Sequence, residues 1–267
     1  MTSSAPNLLQ TWRTSPTLAH VAPLAAFMLL GALAGLVGID NEELPWWRHS
    51  PEQWVYPLQT VVAGLLLIWF RAHYQLAPWR GLPLATALGA LGIVIWVVPT
   101  LAYVWLGVEN WPQPGFGIPM LTEAGTPVWN YLGLAPREDG FDPWLFEDST
   151  LATSLAIFMR FLRMVLVVAL IEEIFWRSFL MRYIVAEDRE FHEVAFGTHS
   201  WKAYVIVTLL FALIHAPEDW LGALVYGSLT YYVAVTTKSL AACVWMHAIA
   251  NLLLGLYVIV SGHHGFW

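Results

Sequence analysis

What this 267-residue chain has least of is charge. Only 12% of its residues are Asp, Glu, Lys or Arg, against roughly 25% in ordinary soluble domains. That is too little charge to cover a soluble globule. With 58% hydrophobic residues and a mean hydropathy of +0.59, the chain reads as an integral membrane protein. Cysteine is nearly absent: Cys243 stands alone, so no intrachain disulfide can form. The 12 basic residues are outnumbered by 19 acids, for a net charge of −7, which leaves no footprint for nucleic acid. Neither an H-E-x-x-H zinc-protease pattern nor a Ser-His-Asp arrangement occurs, and no internal repeat stands out.

What is plentiful is aromatic and apolar. The 16 Trp and 10 Tyr gather near the ends of apolar runs, as interfacial belts do. Seven apolar runs read as spans: Leu18–Ile39, Trp54–Phe70, Leu82–Val108, about 156–184, about 201–216, Trp220–Thr237 and Ser239–Gly262. The first exceeds the roughly 7–15 apolar residues of a secretory signal, so it reads as a retained span. The expected fold is all-α, a polytopic transmembrane bundle of about seven spans with its site between the last four. Residues 1–150 would supply three spans and a long outer loop, and 151–267 a four-span core, together one integrated membrane domain.

Basic residues set the expected orientation. Arg13, the loop with Arg71 and Arg80, the segment with Arg182, Arg189 and Lys202, and Lys238 all fall on one side. The N-terminus is therefore expected inside and the C-terminus outside. The 107–150 loop reads as an ordinary ordered outer loop in preference to a lid. Arg160 and Arg163 are expected to snorkel toward headgroups, with the acids of that loop as partners. Gly31 and Gly35 form a G-x-x-x-G face for a neighbouring helix. His263 and His264 read as a frayed, solvated tail.

Three intramembrane motifs carry the chemistry. Eight uncharged residues, Met164 to Ile171, lead into Glu172 and Glu173, with Arg177 four residues beyond the second. Adjacent carboxylates in hydrocarbon are costly and mark a functional position by default. The i, i+4 spacing lets Arg177 neutralise Glu173, while Glu172 is rotated by about 100° toward other neighbours. Next come Phe211-x-x-x-His215, closed by Pro217, and His247-x-x-x-Asn251 within the last span. Taken together, this inventory suits amide hydrolysis. A carboxylate can act as general base toward water, a histidine can orient that water, and imidazole and amide N–H groups can stabilise an oxyanion. The same residues leave a second possibility open, a zinc site of Glu172, His215 and His247.

The series E-E-x-x-x-R, F-x-x-x-H, H-x-x-x-N on successive spans resembles the CPBP family, which groups type II CAAX prenyl endopeptidases with bacterial Abi-type proteins. The resemblance covers residues 156–262. It implies Glu172 as the base that activates water, His215 as the residue that holds it, Glu173 and Arg177 as supports, and His247 with Asn251 as the oxyanion pocket. Phe211 completes the supporting set. The implied protein is an intramembrane endopeptidase of a bacterial plasma membrane, acting on a membrane-associated peptide or protein among lipids. It would need no cofactor, or else Zn2+. The competing readings are a non-catalytic immunity or sorting-associated membrane protein with the same fold, and a haem or transport protein using His215 and His247. One difficulty stands. Counted from Trp201 at about 1.5 Å per residue, His215 lies past mid-membrane, deeper than Glu172 and His247, and the three must nevertheless meet.

Overall fold

A computed structural model describes residues 8–41, 43–107, 133, 137 and 140–267. Among these, secondary structure is entirely helical. Seven principal helices follow one another: α1 (Pro16–Val37), α2 (Glu52–Trp69), α3 (Leu82–Leu106), α4 (Thr150–Ala186), α5 (Trp201–Leu213), α6 (Trp220–Thr237) and α7 (Leu240–Ser261). Their starts are written locally. The Ser15, Ser149, Ser200 and Ser239 hydroxyls each accept from a backbone N–H one turn on, satisfying a donor that a helix start would otherwise orphan. Their ends are too: α6 stops on Lys238 and α7 on Gly262, both left-handed.

Four helices, α1, α3, α4 and α7, are long and apolar enough to cross a membrane by length and composition. The outward side chains agree with a lipid environment. Leu36, Trp105 and Val260 are 78%, 84% and 87% exposed, and contiguous apolar surface of this kind needs a non-aqueous cover. The chain is thus a multi-pass membrane bundle.

Contacts between loops define two ends. At one, the Arg13 carbonyl meets His73, Arg80 donates to the Thr237 carbonyl, and Lys238 donates to the Gly197 carbonyl. At the other, Gln53 donates to the Asp142 carbonyl, Arg137 pairs with Asp219, and Trp267 donates to the Phe141 carbonyl. The basic loops therefore cluster at the first end and the C-terminus lies at the second. Most of the 107–150 loop, including any part it plays as a lid, lies outside the described residues.

α4 is the central element, in contact with α1, α2, α5 and α7. Its 37 residues cover roughly 55 Å at about 1.5 Å per residue, well beyond a hydrocarbon core of about 30 Å. Two stretches, Leu162–Val168 and Ile174–Leu180, are π-helical and bracket the α-helical turn Ala169–Glu173 that bears both glutamates. Such widened turns recur at functional sites because they free backbone carbonyls and shift the facing of side chains.

Glycines set two close approaches. A Cβ on Gly31 would sit 2.7 Å from Gln59 Nε2, so α2 enters there, and Gln59 donates to the Phe27 carbonyl at 2.8 Å. Gly35 meets nothing within 4 Å; the G-x-x-x-G face works through one glycine and not two. On α3, a Cβ on Gly92 would lie 2.6 Å from the Tyr226 ring. Gly92→Ala should lower stability by about 1–3 kcal/mol, the usual range for overpacking, read as an earlier thermal unfolding midpoint in detergent.

Two sequence expectations are corrected. Arg160 does not snorkel: it is 5% exposed and its guanidinium stacks over Tyr56, Phe141 and Trp267 at 4.9, 5.3 and 5.4 Å. Arg163 lies over Phe27 and Tyr56 at 4.7 and 4.1 Å. Among the described residues neither has a carboxylate within ion-pair distance. The aromatic rings, supplied by α1, α2, the segment before α4 and the C-terminus, offer the cations a face that solvent would otherwise have provided. The C-terminus is likewise not a frayed tail. His264 faces Asp142 at 3.7 Å and Phe266 is buried against the bundle.

Candidate active site

The turn Ala169–Glu173 aims its two carboxylates differently. Glu173 is fully buried. Its Oε1 accepts from His247 Nδ1 at 2.9 Å and its Oε2 lies 3.4 Å from Arg177 Nε. One carboxylate thus joins α4 to α7 and to its own next turn. Arg177, also fully buried, donates to the Gly227 carbonyl at 3.4 Å and lies 5.6 Å over the Phe211 ring, which ties α4 to α6 and α5. Placing a charge pair in this setting is costly unless each group is matched; three helices supply part of the matching, and Glu173 Oε2 with Arg177 Nε and Nη1 are left with the ion pair alone.

Glu172 is different. It is buried, its Oε2 has no hydrogen-bond partner, and among the described residues it makes no ion pair. It lines a cavity of about 200 Å³ together with His215, His247, Asn251, Phe211 and Tyr226. All four residues expected to carry the chemistry border this one space. The depth difficulty is met by where His215 sits. α5 ends at Leu213, so His215 rides on the turn that follows, beside the Pro217–Asp219 turn, and its ring faces the shared cavity.

Hydrogen bonds set the imidazole tautomers. His215 Nδ1 bonds the Phe211 carbonyl at 2.7 Å. A carbonyl only accepts, so Nδ1 carries a proton and a neutral ring is left with Nε2 as an acceptor. The Phe211 of the motif therefore acts through its backbone, while its ring is wedged beside Gly227 and lies tilted against His215 at 4.7 Å. His247 points Nδ1–H at Glu173, so its Nε2 bears hydrogen only as imidazolium. Asn251 Nδ2 donates to the Met164 carbonyl at 2.6 Å, a carbonyl within the first π-helical stretch.

The cavity has walls that the motifs did not announce. Trp96 of α3 meets His215 edge-on at 5.6 Å and Tyr226 of α6 meets His247 at 5.8 Å. The Tyr226 hydroxyl is buried without a hydrogen-bond partner. Arg163, Asp219, Phe266 and Trp267 border the same space, so α3 and the C-terminal turn join the last four helices in enclosing it. An intramembrane tyrosine is a weak sequence signal, and the C-terminal aromatics carry none.

Among the described residues no three His, Cys, Asp or Glu side chains are arranged to hold a metal ion. The zinc alternative drawn on Glu172, His215 and His247 does not fit this arrangement. The three line one cavity but do not form such a group.

Residues 154–253 match the family described as type II CAAX prenyl endopeptidase, Rce1-like. No curated protein and no solved structure matches the chain. The matched segment runs from the first turns of α4 through most of α7 and holds all seven motif residues. Over those residues the chain is similar to the Rce1-like CAAX prenyl endopeptidases, a family of membrane proteases, and this supports the CPBP resemblance of its motifs.

Proposed function

We propose that the protein is an intramembrane endopeptidase in which Glu172 activates a water molecule for attack on a peptide bond. The observation that carries this reading is the different surroundings of the two glutamates: Glu173 bonds His247 and pairs with Arg177, whereas Glu172 is buried, has no hydrogen-bond partner on Oε2, makes no ion pair among the described residues and faces the cavity. A carboxylate in that position is a base awaiting a proton.

The steps follow from the donors and acceptors present. Water sits between Glu172 and Nε2 of His215, whose lone pair faces away from the Phe211 carbonyl. Glu172 takes a proton as the water oxygen bonds to the scissile carbonyl carbon. The resulting oxyanion accepts from the second Nδ2–H of Asn251 and from Nε2–H of a His247 imidazolium, which Glu173 stabilises in a site of low dielectric. Glu172 then returns its proton to the leaving nitrogen as the C–N bond breaks, giving a carboxylic acid and an amine, between which a proton passes to leave a carboxylate and an ammonium. No step passes through a metal. The test is Glu172→Gln, with peptide products of membrane proteins compared by mass spectrometry between cells carrying wild type and variant.

The cavity lies at the end of the bundle that holds the C-terminus, Asp219 and Trp267. The basic loops lie at the opposite end. In a bacterial plasma membrane the positive-inside rule places the basic end in the cytoplasm, and the site then works from the outer half of the membrane. A C-terminal alkaline phosphatase fusion should be active and a C-terminal fluorescent-protein fusion exported through the general secretory route dark. The opposite pair of results would reverse the orientation.

A further inference from the structure

We infer that a second cavity, at the basic end of the bundle, binds a phosphate group. It encloses about 280 Å³ where the first turn of α1, the Arg71–His73 turn after α2, the last turns of α4 and the Phe191–Glu193 turn meet. Its polar lining is Arg182, His20, His73, His192, Ser178 and Gln75, and among the described residues no Asp or Glu borders it. The inference stands apart from the peptidase reading and shares no residue with it.

Arg182 is held as an anion reader would be. Its Nε donates to the Ser178 carbonyl, its Nη2 donates to Ser178 Oγ at 2.8 Å, and its guanidinium lies 5.2 Å over the Phe191 ring. All three partners are neutral, and Nη1 has no hydrogen-bond partner among the described residues. Ser178 is fixed in turn. Its hydroxyl accepts from Arg182 and donates to His20 Nε2 at 3.3 Å, because His20 Nδ1–H is held by the Pro16 carbonyl at 2.8 Å. Tyr74 and Phe191 meet the His20 ring edge-on at 5.6 and 5.0 Å. One chain of hydrogen bonds thus joins α1 to α4 and orients the guanidinium at the cavity wall.

The charges around this space share one sign. The charge neighbours of His20 are Arg182, His73 and His192. Glu187, Asp188, Glu190 and Glu193 follow Arg182 closely in sequence, but they are exposed and none pairs with it. His73 gives its Nε2–H to the Arg13 carbonyl at 2.8 Å, so as imidazolium it can offer Nδ1–H to an anion. A cleft with cations and no acid concentrates anions, and a planar guanidinium suits phosphate oxygens. Basic pockets between helices at the cytoplasmic side of a membrane take lipid headgroups. The phosphate has two sources, an anionic phospholipid or a soluble phosphate compound.

The test reads binding by the full-length protein. In detergent, inorganic phosphate is titrated against the thermal unfolding midpoint, with sodium chloride at matched ionic strength as control. In nanodiscs, phosphatidylcholine bilayers with increasing phosphatidic acid are read the same way. The midpoint should rise saturably. A rise with inorganic phosphate assigns a site open to soluble phosphates, and a rise with phosphatidic acid alone assigns the headgroup. Arg182→Gln should raise the half-saturating concentration at least about 10-fold, as loss of a hydrogen bond to a charged group does, and Arg182→Lys should retain part of the affinity. His192→Glu, at an exposed position where folding is not at stake, sets a carboxylate beside the cavity and should weaken binding by a similar factor. No rise with either probe overturns the inference. So does a rise that survives Arg182→Gln, or that survives His192→Glu where Arg182→Gln does not fold.

Discussion

Glu172→Gln should abolish cleavage, by at least about 10³-fold, while leaving the protein folded. The magnitude follows from what is removed. General-base catalysis contributes about 10²–10⁴-fold, and here the same carboxylate must also return the proton to the leaving amine. Gln is nearly isosteric and uncharged, so it removes a buried charge that makes no ion pair among the described residues instead of creating one. Thermal unfolding of Glu172→Gln should therefore match or exceed wild type. Loss of activity together with loss of stability would point to a structural role for Glu172. Intact activity would remove it from the chemistry altogether.

Arg177→Leu should do the opposite and damage the fold first. Its removal leaves the fully buried Glu173 carboxylate with His247 as its one ion-pair partner among the described residues and strips a donor from the Gly227 carbonyl. Breaking a buried pair from one side costs about 3–5 kcal/mol, a large share of a membrane protein's reserve. The double variant Glu173→Gln with Arg177→Leu should recover much of that stability, because the uncompensated charge is gone. It should stay inactive, since His247 would lose the carboxylate that orients its ring and stabilises its imidazolium. Unfolding in mixed detergent, compared across both single variants and the double, reads the coupling. Additive losses would show that the two charges do not depend on each other.

The contrast between these two variants reflects what the sequence could and could not show. The i, i+4 spacing from Glu173 to Arg177 was readable because both partners lie on one helix, and the pair forms. The bracket of π-helical turns around Ala169–Glu173 was not, because nothing in a run of Leu, Val and Ile separates a wide turn from a regular one. The histidine and asparagine motifs announced their residue types, and the helix order allowed them to converge on one cavity. Which atoms engage which partner depended on tertiary contacts. His247 meets Glu173 across 74 residues, and Asn251 meets the Met164 carbonyl across 87.

Arg160 and Arg163 show the limit most clearly. Judged from their own helix, two cations near a span end belong with headgroups. Their actual neighbours, Phe27, Tyr56, Phe141 and Trp267, come from four separate stretches, and no local pattern predicts that assembly. The C-terminal turn was misread for the same reason. Its aromatic residues find their place against Phe141 and Phe161, far back in the chain.

The central claim is geometric: a peptide carbonyl reaches the space between Glu172 and the Asn251–His247 donors. The most direct measurement is an experimental structure of Glu172→Gln with a bound, uncleaved peptide. The scissile carbonyl oxygen should lie within about 3 Å of both Asn251 Nδ2 and His247 Nε2, ordinary hydrogen-bond range, with its carbon facing residue 172 and room for one water between. A peptide bound with its carbonyl turned away from Asn251, or seated at the basic end of the bundle near His20 and Arg182, would contradict it.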